Sequence, residues 1–170
     1  MIDKLKQIKL VLLDVDGVLT EGQVIYNDKG EETKVFCVRD GLGIRLLQEA
    51  GIKVGIITGR ASKALIHRCD NLKITHLMDG IRDKSKAFET MLKKTKQSAN
   101  QTLFMGDDLP DLPVMHAAGL SVAVADAHQI VKERADIVTR ARGGKGAVRE
   151  ISETILKAQS KWETLIDKLF

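Results

Sequence analysis

Two clusters of acid stand directly after apolar runs. In KLVLLDVDGVLT, residues 9–20, Asp14 and Asp16 follow a stretch that reads as a buried strand. Side chains two positions apart point the same way while the chain stays extended. Neighbouring carboxylates repel, so the pair makes sense if a cation lies between them or one of them holds a proton. Gly17 then lets the backbone turn sharply. The second cluster is LFMGDDLPD, residues 103–111, in which Gly106 precedes Asp107, Asp108 and Asp111. A folded chain rarely gathers that much charge at a strand end without a cation or strong donors nearby. Oxygen-only ligands suit Mg²⁺ rather than zinc, and the four His are not clustered as a zinc site would be. Taken alone, DVDG also fits a calcium loop or a polar strand end that caps the next turn.

Two further positions suit a phosphate. The apolar run 54–57 ends in Thr58, Gly59 and Arg60. A hydroxyl and open amides at a helix start make an anion cradle, although Thr is also a common helix cap. Lys84, in DGIRDKSKAF, follows the next expected strand, with Lys86 as its nearest rival. In isolation Lys84 reads as a surface lysine.

Strand-like runs at 9–13, 54–57, 103–105 and 121–124 alternate with helix-like stretches at 42–50, 84–95 and 111–118. Such alternation builds βαβ units and a mainly parallel sheet covered on both faces. In such sheets ligands bind outside the carboxyl ends of the strands, where both acid clusters fall. One segment breaks the rhythm. Residues 21–36 carry the turn Asn-Asp-Lys-Gly between β-prone pieces at 24–26 and 33–36, which predicts an inserted β-hairpin. The tail, 145–169, reads as one long helix or two shorter ones, after a basic glycine-rich loop at 140–146.

The length suits one compact domain over residues 1–170, with a core of Leu, Ile, Val and Ala because aromatic residues are only 4%. A net charge of +4 without a basic block argues against nucleic acid and suits a small anionic substrate. Cys37 and Cys69 form no disulfide framework and are expected in or near the core. With no apolar run of membrane length and no leader-like start, the expectation is a cytoplasmic protein without a membrane partner.

The ordered set LLDVDGVLT, Thr58, Lys84 and GDDLPD resembles the haloacid-dehalogenase-like phosphatases, whose first motif is hhhDxDGxx(T/V) and whose last is GDDxxD. The resemblance implies a three-layer α/β/α, Rossmann-like core. It implies Asp14 as the nucleophile, Asp16 as general acid and base, and Lys84 as a screen for the nucleophile. Thr58 and Gly59 would hold the phosphate. Mg²⁺ would be held by Asp14, Asp107 and the carbonyl of Asp16, with Asp108 beside it, while Asp111 would orient Lys84 or the loop. The chain has no room for a cap domain. Across nearly its whole length it resembles the capless 3-deoxy-D-manno-octulosonate 8-phosphate phosphatases, through VRDG at 38–41, IITGR at 56–60, GLSVAVADAH at 119–128 and GGKGAVRE at 143–150. After about Gln159 it departs from that pattern. This implies a sugar-acid phosphate substrate of lipopolysaccharide synthesis and a homotetramer joined through the hairpins, with each site completed by a neighbouring subunit. Arg39, Asp40, Arg60, Arg68 and Arg142 are the candidates for the substrate mouth. The nearest alternative substrate is a sialic-type nine-carbon acid 9-phosphate. A phospho-receiver domain would carry the same residue types in a different order.

Overall fold

In the computed structural model, which describes residues 1–168, helix α1 (Ile2–Gln7) leads into strand β1 (Leu10–Leu13). All four residues of β1 are buried, so both faces of the strand must be covered. A hairpin of β2 (Ile25–Tyr26) and β3 (Glu32–Thr33) follows. Then come α2 (Val38–Glu49), β4 (Lys53–Ile57), α3 (Lys63–Leu72), β5 (His76–Met78), α4 (Lys84–Thr95) and β6 (Thr102–Gly106). The chain ends with α5 (Leu112–Ala117), β7 (Leu120–Ala123), α6 (Gln129–Arg134), β8 (Ile137–Val138), α7 (Ala147–Ala158) and α8 (Trp162–Asp167).

Six strands form one sheet in the order β5-β4-β1-β6-β7-β8, and every neighbouring pair is parallel. The chain runs from β1 one way through β4 and β5, then returns past β1 to β6, β7 and β8. Right-handed crossovers place α2 and α3 on one face and α4, α5 and α6 on the other. Accordingly α2 contacts α3 and α7, while α4 contacts α5. The result is the expected three-layer α/β/α core, and among the described residues only the hairpin is inserted where a cap would be. Leu13 pairs with both Ile56 and Met105, so three strands end level beside the reversal point. No helix among the described residues is long and apolar enough to cross a membrane.

The hairpin turn forms as its sequence demands. The Asn27 side-chain oxygen accepts from the amides of Lys29 and Glu31, both at 3.0 Å, and Gly30 takes φ +74°. Its strands are shorter than expected. Helix α2 begins four residues earlier than residue 42, because Gly41 and Gly43 are contact points rather than helix breakers. A Cβ on Gly43 would lie 3.0 Å from Cα of Arg149 in α7. The stretch beginning at residue 111 is first a 3-10 turn, Leu109–Asp111, with Pro110 in its opening positions. The tail is two helices, broken where Ser160 adopts φ +55°; the expected last residue, Leu169, lies outside the described residues. Cys69 is buried and Cys37 half-buried, both free.

Helix α7 starts after Gly146, which has no side chain to cap it. Asp40 of α2 does so instead, accepting from the amides of Gly146 at 3.2 Å and Arg149 at 2.8 Å. Asp40 is 1% exposed, so its removal leaves those donors without their carboxylate in a buried setting. Asp40→Ala should lower stability by about 1–3 kcal/mol, read as a lower urea midpoint. An unchanged midpoint would show that the cap carries no weight.

Candidate active site

The level strand ends bring the acid clusters together. Asp14 continues β1 by donating its amide to the carbonyl of Met105, 3.0 Å away, and its side chain is buried. Across from it, Asp83 caps α4 by accepting from the amides of Ser85 and Lys86, which makes Lys84 the first helical residue. The Lys84 Nζ lies 2.7 Å from Asp14 Oδ1 and 2.6 Å from Asp111 Oδ1. Lys86 points away, its side chain 85% exposed.

Asp111 shapes the second loop as well as meeting Lys84. Its Oδ2 accepts from the amides of Asp107 at 3.0 Å and Asp108 at 3.3 Å. Carboxylate oxygens of Asp14, Asp107 and Asp111 all lie within 4.8 Å of one another. Gly17 allows this approach. It sits at φ +95°, and a Cβ there would be 2.0 Å from Asp107 Oδ2.

Burial pushes the Asp14 carboxyl up to about 6, helped by the charge of Asp111 and opposed by Lys84. Burial pushes Asp107 further, up to about 8, with Asp14, Asp111 and Asp108 adding repulsion. At Lys84 burial works against the charge, but Asp14 and Asp111 outweigh it and hold the ammonium above its ordinary value. Three carboxylates against one ammonium leave two negative charges unmatched, and every available donor is oxygen. That set fits a divalent metal ion.

The other expected residues divide. Asp108 is exposed and caps the 3-10 turn through the amide of Leu109 at 2.8 Å, so Asp111 rather than Asp108 joins the three-acid group. The Asp16 carboxylate stands outside that group, with Lys34 on Oδ1 and Arg60 Nε 3.6 Å from Oδ2. Thr58 is buried and fixed by its backbone, donating to Met78 at 2.9 Å and accepting from Ile81 at 3.0 Å. Helix α3 starts only at Lys63, so Thr58, Gly59 and Arg60 lie on a loop rather than in a helix's first turn.

Among the mouth candidates, Arg60 reaches Asp16. Arg142 pairs with Asp126 at 3.0 Å, next to Gly143, whose Cα lies so close to the Gly17 carbonyl that a Cβ would sit 1.6 Å from it. Arg68 donates to the Cys37 carbonyl at 3.2 Å and lies over the Phe36 ring. Arg39 donates to the Lys145 carbonyl at 3.2 Å. Asp40 is not at the mouth, because it is buried as the cap of α7. Sequence reasoning passed over Lys34 and Glu32. The residue types carry no signal for them; in the structure Glu32, Lys34 and Phe36 are half-buried while Thr33 and Val35 are exposed.

A doubly wound parallel sheet with this ordered set of acids, Thr and Lys at adjacent strand ends defines the class of haloacid dehalogenase-like hydrolases, and the family model of that description matches residues 76–151. The 3-deoxy-D-manno-octulosonate 8-phosphate phosphatase of Escherichia coli K12 is 50% identical over 161 residues, spanning 95% of this chain and 86% of that protein. The Moraxella catarrhalis phosphatase of the same name, crystallised with magnesium ion, phosphate ion and a KDO molecule, superposes with a TM-score of 0.96 at 41% identity, covering 99% of this chain and 97% of that one. The cobalt-bound Haemophilus influenzae phosphatase gives 0.92 at 46% identity, covering 95% and 94%. The chain belongs to the family of 3-deoxy-D-manno-octulosonate 8-phosphate phosphatases, and it is an enzyme of the phosphatase class.

Asp14 and Asp107 bind protons more tightly when folded than the ordinary value of 3.8 they start from. The metal-free fold therefore loses stability as pH rises from that value through about 6 and about 8. A divalent cation competes for the same oxygens. The rise in Tm on replacing EDTA with millimolar Mg²⁺ should be larger at about pH 8.5 than at about pH 6. A gain independent of pH would place the cation elsewhere.

Proposed function

We propose that the chain, acting as one domain with Mg²⁺ as cofactor, hydrolyses 3-deoxy-D-manno-octulosonate 8-phosphate to the free sugar acid and inorganic phosphate, a step of lipopolysaccharide sugar synthesis. The observation that carries this reading is the Lys84 ammonium shared between Asp14 and Asp111 beside Asp107. It sets a fixed carboxylate in an acidic pocket with a deficit of positive charge. The names of the Escherichia, Moraxella and Haemophilus relatives support the substrate.

Asp14 attacks phosphorus, the bond from phosphorus to the C8 oxygen breaks, and Asp16 gives its proton to that leaving oxygen. Asp16, now a carboxylate, takes a proton from water, whose oxygen attacks the phosphorus on Asp14 and releases phosphate. Lys84 holds Asp14 in place and screens its charge from the incoming dianion. Thr58 and the Gly59 amide donate to phosphate oxygens. Asp14, Asp107 and the Asp16 carbonyl would hold Mg²⁺, with Asp108 and Asp111 in support, and the bound ion would supply positive charge against the phosphate. Arg60 and Arg142 supply guanidinium donors for the sugar-acid carboxylate.

The assembly we infer is a homotetramer joined through the hairpins, with a neighbouring subunit completing each mouth. Val24, Ile25, Tyr26, Val35 and Val38 are 48%, 42%, 59%, 64% and 83% exposed, a group of uncovered apolar side chains on and beside the hairpin.

With Mg²⁺ present, kcat/KM for the eight-carbon substrate should exceed that for a nine-carbon sialic-type acid 9-phosphate and for a hexose phosphate by about a hundredfold, or about 3 kcal/mol. A preference for the nine-carbon substrate would move the reading to that acid, and equal low values would sink both. Light scattering should give four subunits for the wild type and smaller species for Val38→Glu. A wild-type monomer of full activity would overturn the tetramer.

A further inference from the structure

Lys34 is an unusual hairpin lysine. It follows β3 at the edge of the molecule, yet its side chain is only 1% exposed. Lysines so placed normally reach water, because an ammonium taken out of water is costly unless carboxylates surround it. Here they do. The Lys34 Nζ contacts Asp16 Oδ1 and lies 3.1 Å from Glu32 Oε1. The same Glu32 oxygen accepts from Arg60 Nη2 at 3.1 Å, and Arg60 Nη2 also donates to the Tyr26 hydroxyl at 3.1 Å. Two cations and two carboxylates thus form a closed group. It joins the hairpin to the one first-motif carboxylate that lies outside the three-acid group.

The two oxygens of Asp16 are treated differently. Oδ1 is held by a buried ammonium, itself anchored by Glu32. Oδ2 has only Arg60, 44% exposed and 3.6 Å away. Asp16 precedes the glycine turn at the end of β1, and the contacts that fix its carboxylate come from the hairpin and Arg60. We propose that Lys34 is a positioning residue for Asp16: it locks Oδ1 and so presents Oδ2 as the oxygen that gives a proton to the leaving group and later takes one from water. This rests on the reading of Asp16 as general acid and base.

The test compares kcat/KM for phenyl phosphate and 4-nitrophenyl phosphate, two substrates of nearly one shape. Nitrophenolate leaves readily without a proton, whereas phenolate is more basic and gains from one in the transition state. Because kcat/KM covers only steps up to departure of the leaving group, the ratio reads proton delivery. Asp16→Asn should lower the phenyl value at least about tenfold further than the nitrophenyl value. Lys34→Met, which keeps the length and loses the charge, should shift the ratio the same way, again by about tenfold. Lys34→Arg, which restores the cation, should return the ratio to within about threefold of wild type. If Lys34→Met fails to fold, Glu32→Gln loosens the same ammonium and should shift the ratio by about threefold.

Equal losses on both substrates in Lys34→Met would make Lys34 merely structural and overturn the proposal, as would no loss on either. If Asp16→Asn left the ratio unchanged, the acid–base reading of Asp16 would fall first, and the proposal with it. A ratio that moves in Asp16→Asn but not in Lys34→Met removes only the role of Lys34.

Discussion

Three carboxylates gathered at the ends of two buried strands repel one another, and Lys84 supplies only one positive charge against them. Everything around the site answers that imbalance. The sheet supplies the convergence, since Leu13, Ile56 and Met105 are in register and the acids follow from aligned strand ends. Helix α4 supplies the cation at its first residue, because Asp83 stops the helix from starting earlier. What the protein does not supply is the remaining two units of positive charge, and a divalent ion is the economical way to provide them. The mutual repulsion of the acids and the site's affinity for a cation thus have one cause.

Close packing of loops keeps the group from relaxing apart. Gly17 leaves room for Asp107, and the loop at Gly143 presses on the Gly17 carbonyl from the other side. The Gly144 amide donates to the Val18 carbonyl at 2.9 Å, so the glycine loop is bonded to the first-motif loop as well as stacked on it. That loop is pinned at both ends by acids, Asp126 on the Gly143 amide and Asp40 on the start of α7. The layer of helices on one face of the sheet therefore bears on the site through Asp40. This is why an acid that reads from sequence as a mouth residue is buried.

The sheet, its direction and the positions of Asp14 and Asp107 were legible in the sequence from local rules, whereas Thr58 and Lys84 stood out only through the ordered resemblance to the family. Buried apolar runs make parallel strands, and polar residues at strand ends mark the site. The role of Asp111 on Lys84 and the loop was legible too, but its place in the three-acid group, instead of Asp108, was not. Asp108 and Asp111 differ in whether the 3-10 turn carries the side chain outward or inward, and spacing alone does not reveal that turn. The extent of α2 was hidden for a similar reason, since Gly41 and Gly43 look like breaks until Arg68 and α7 are seen against them. Lys34 was hidden by habit, because a lysine in a short exposed hairpin is ordinarily a solubility residue. Its alternation with exposed Thr33 and Val35 is visible only in the structure, since the residue types alone would turn Val35 inward and the charges outward.

That alternation gives the hairpin an inverted character with a physical consequence. Its charged residues Glu32 and Lys34 turn inward to Asp16, with the Tyr26 hydroxyl on Arg60 beside them, while its apolar residues Ile25 and Val35 are exposed on the other side. A two-stranded ribbon of two residues per strand is too short to hold its own shape in water. On the inner side it is held by ion pairs, which weaken as water enters. Covering the exposed Ile25 and Val35, as in the proposed tetramer, would remove water from that side and help hold the ribbon in place against Asp16. Assembly and the orientation of Asp16 are then two effects of one small element. A capless phosphatase of this design has reason to place its subunit contact on the hairpin rather than on the helices behind the sheet.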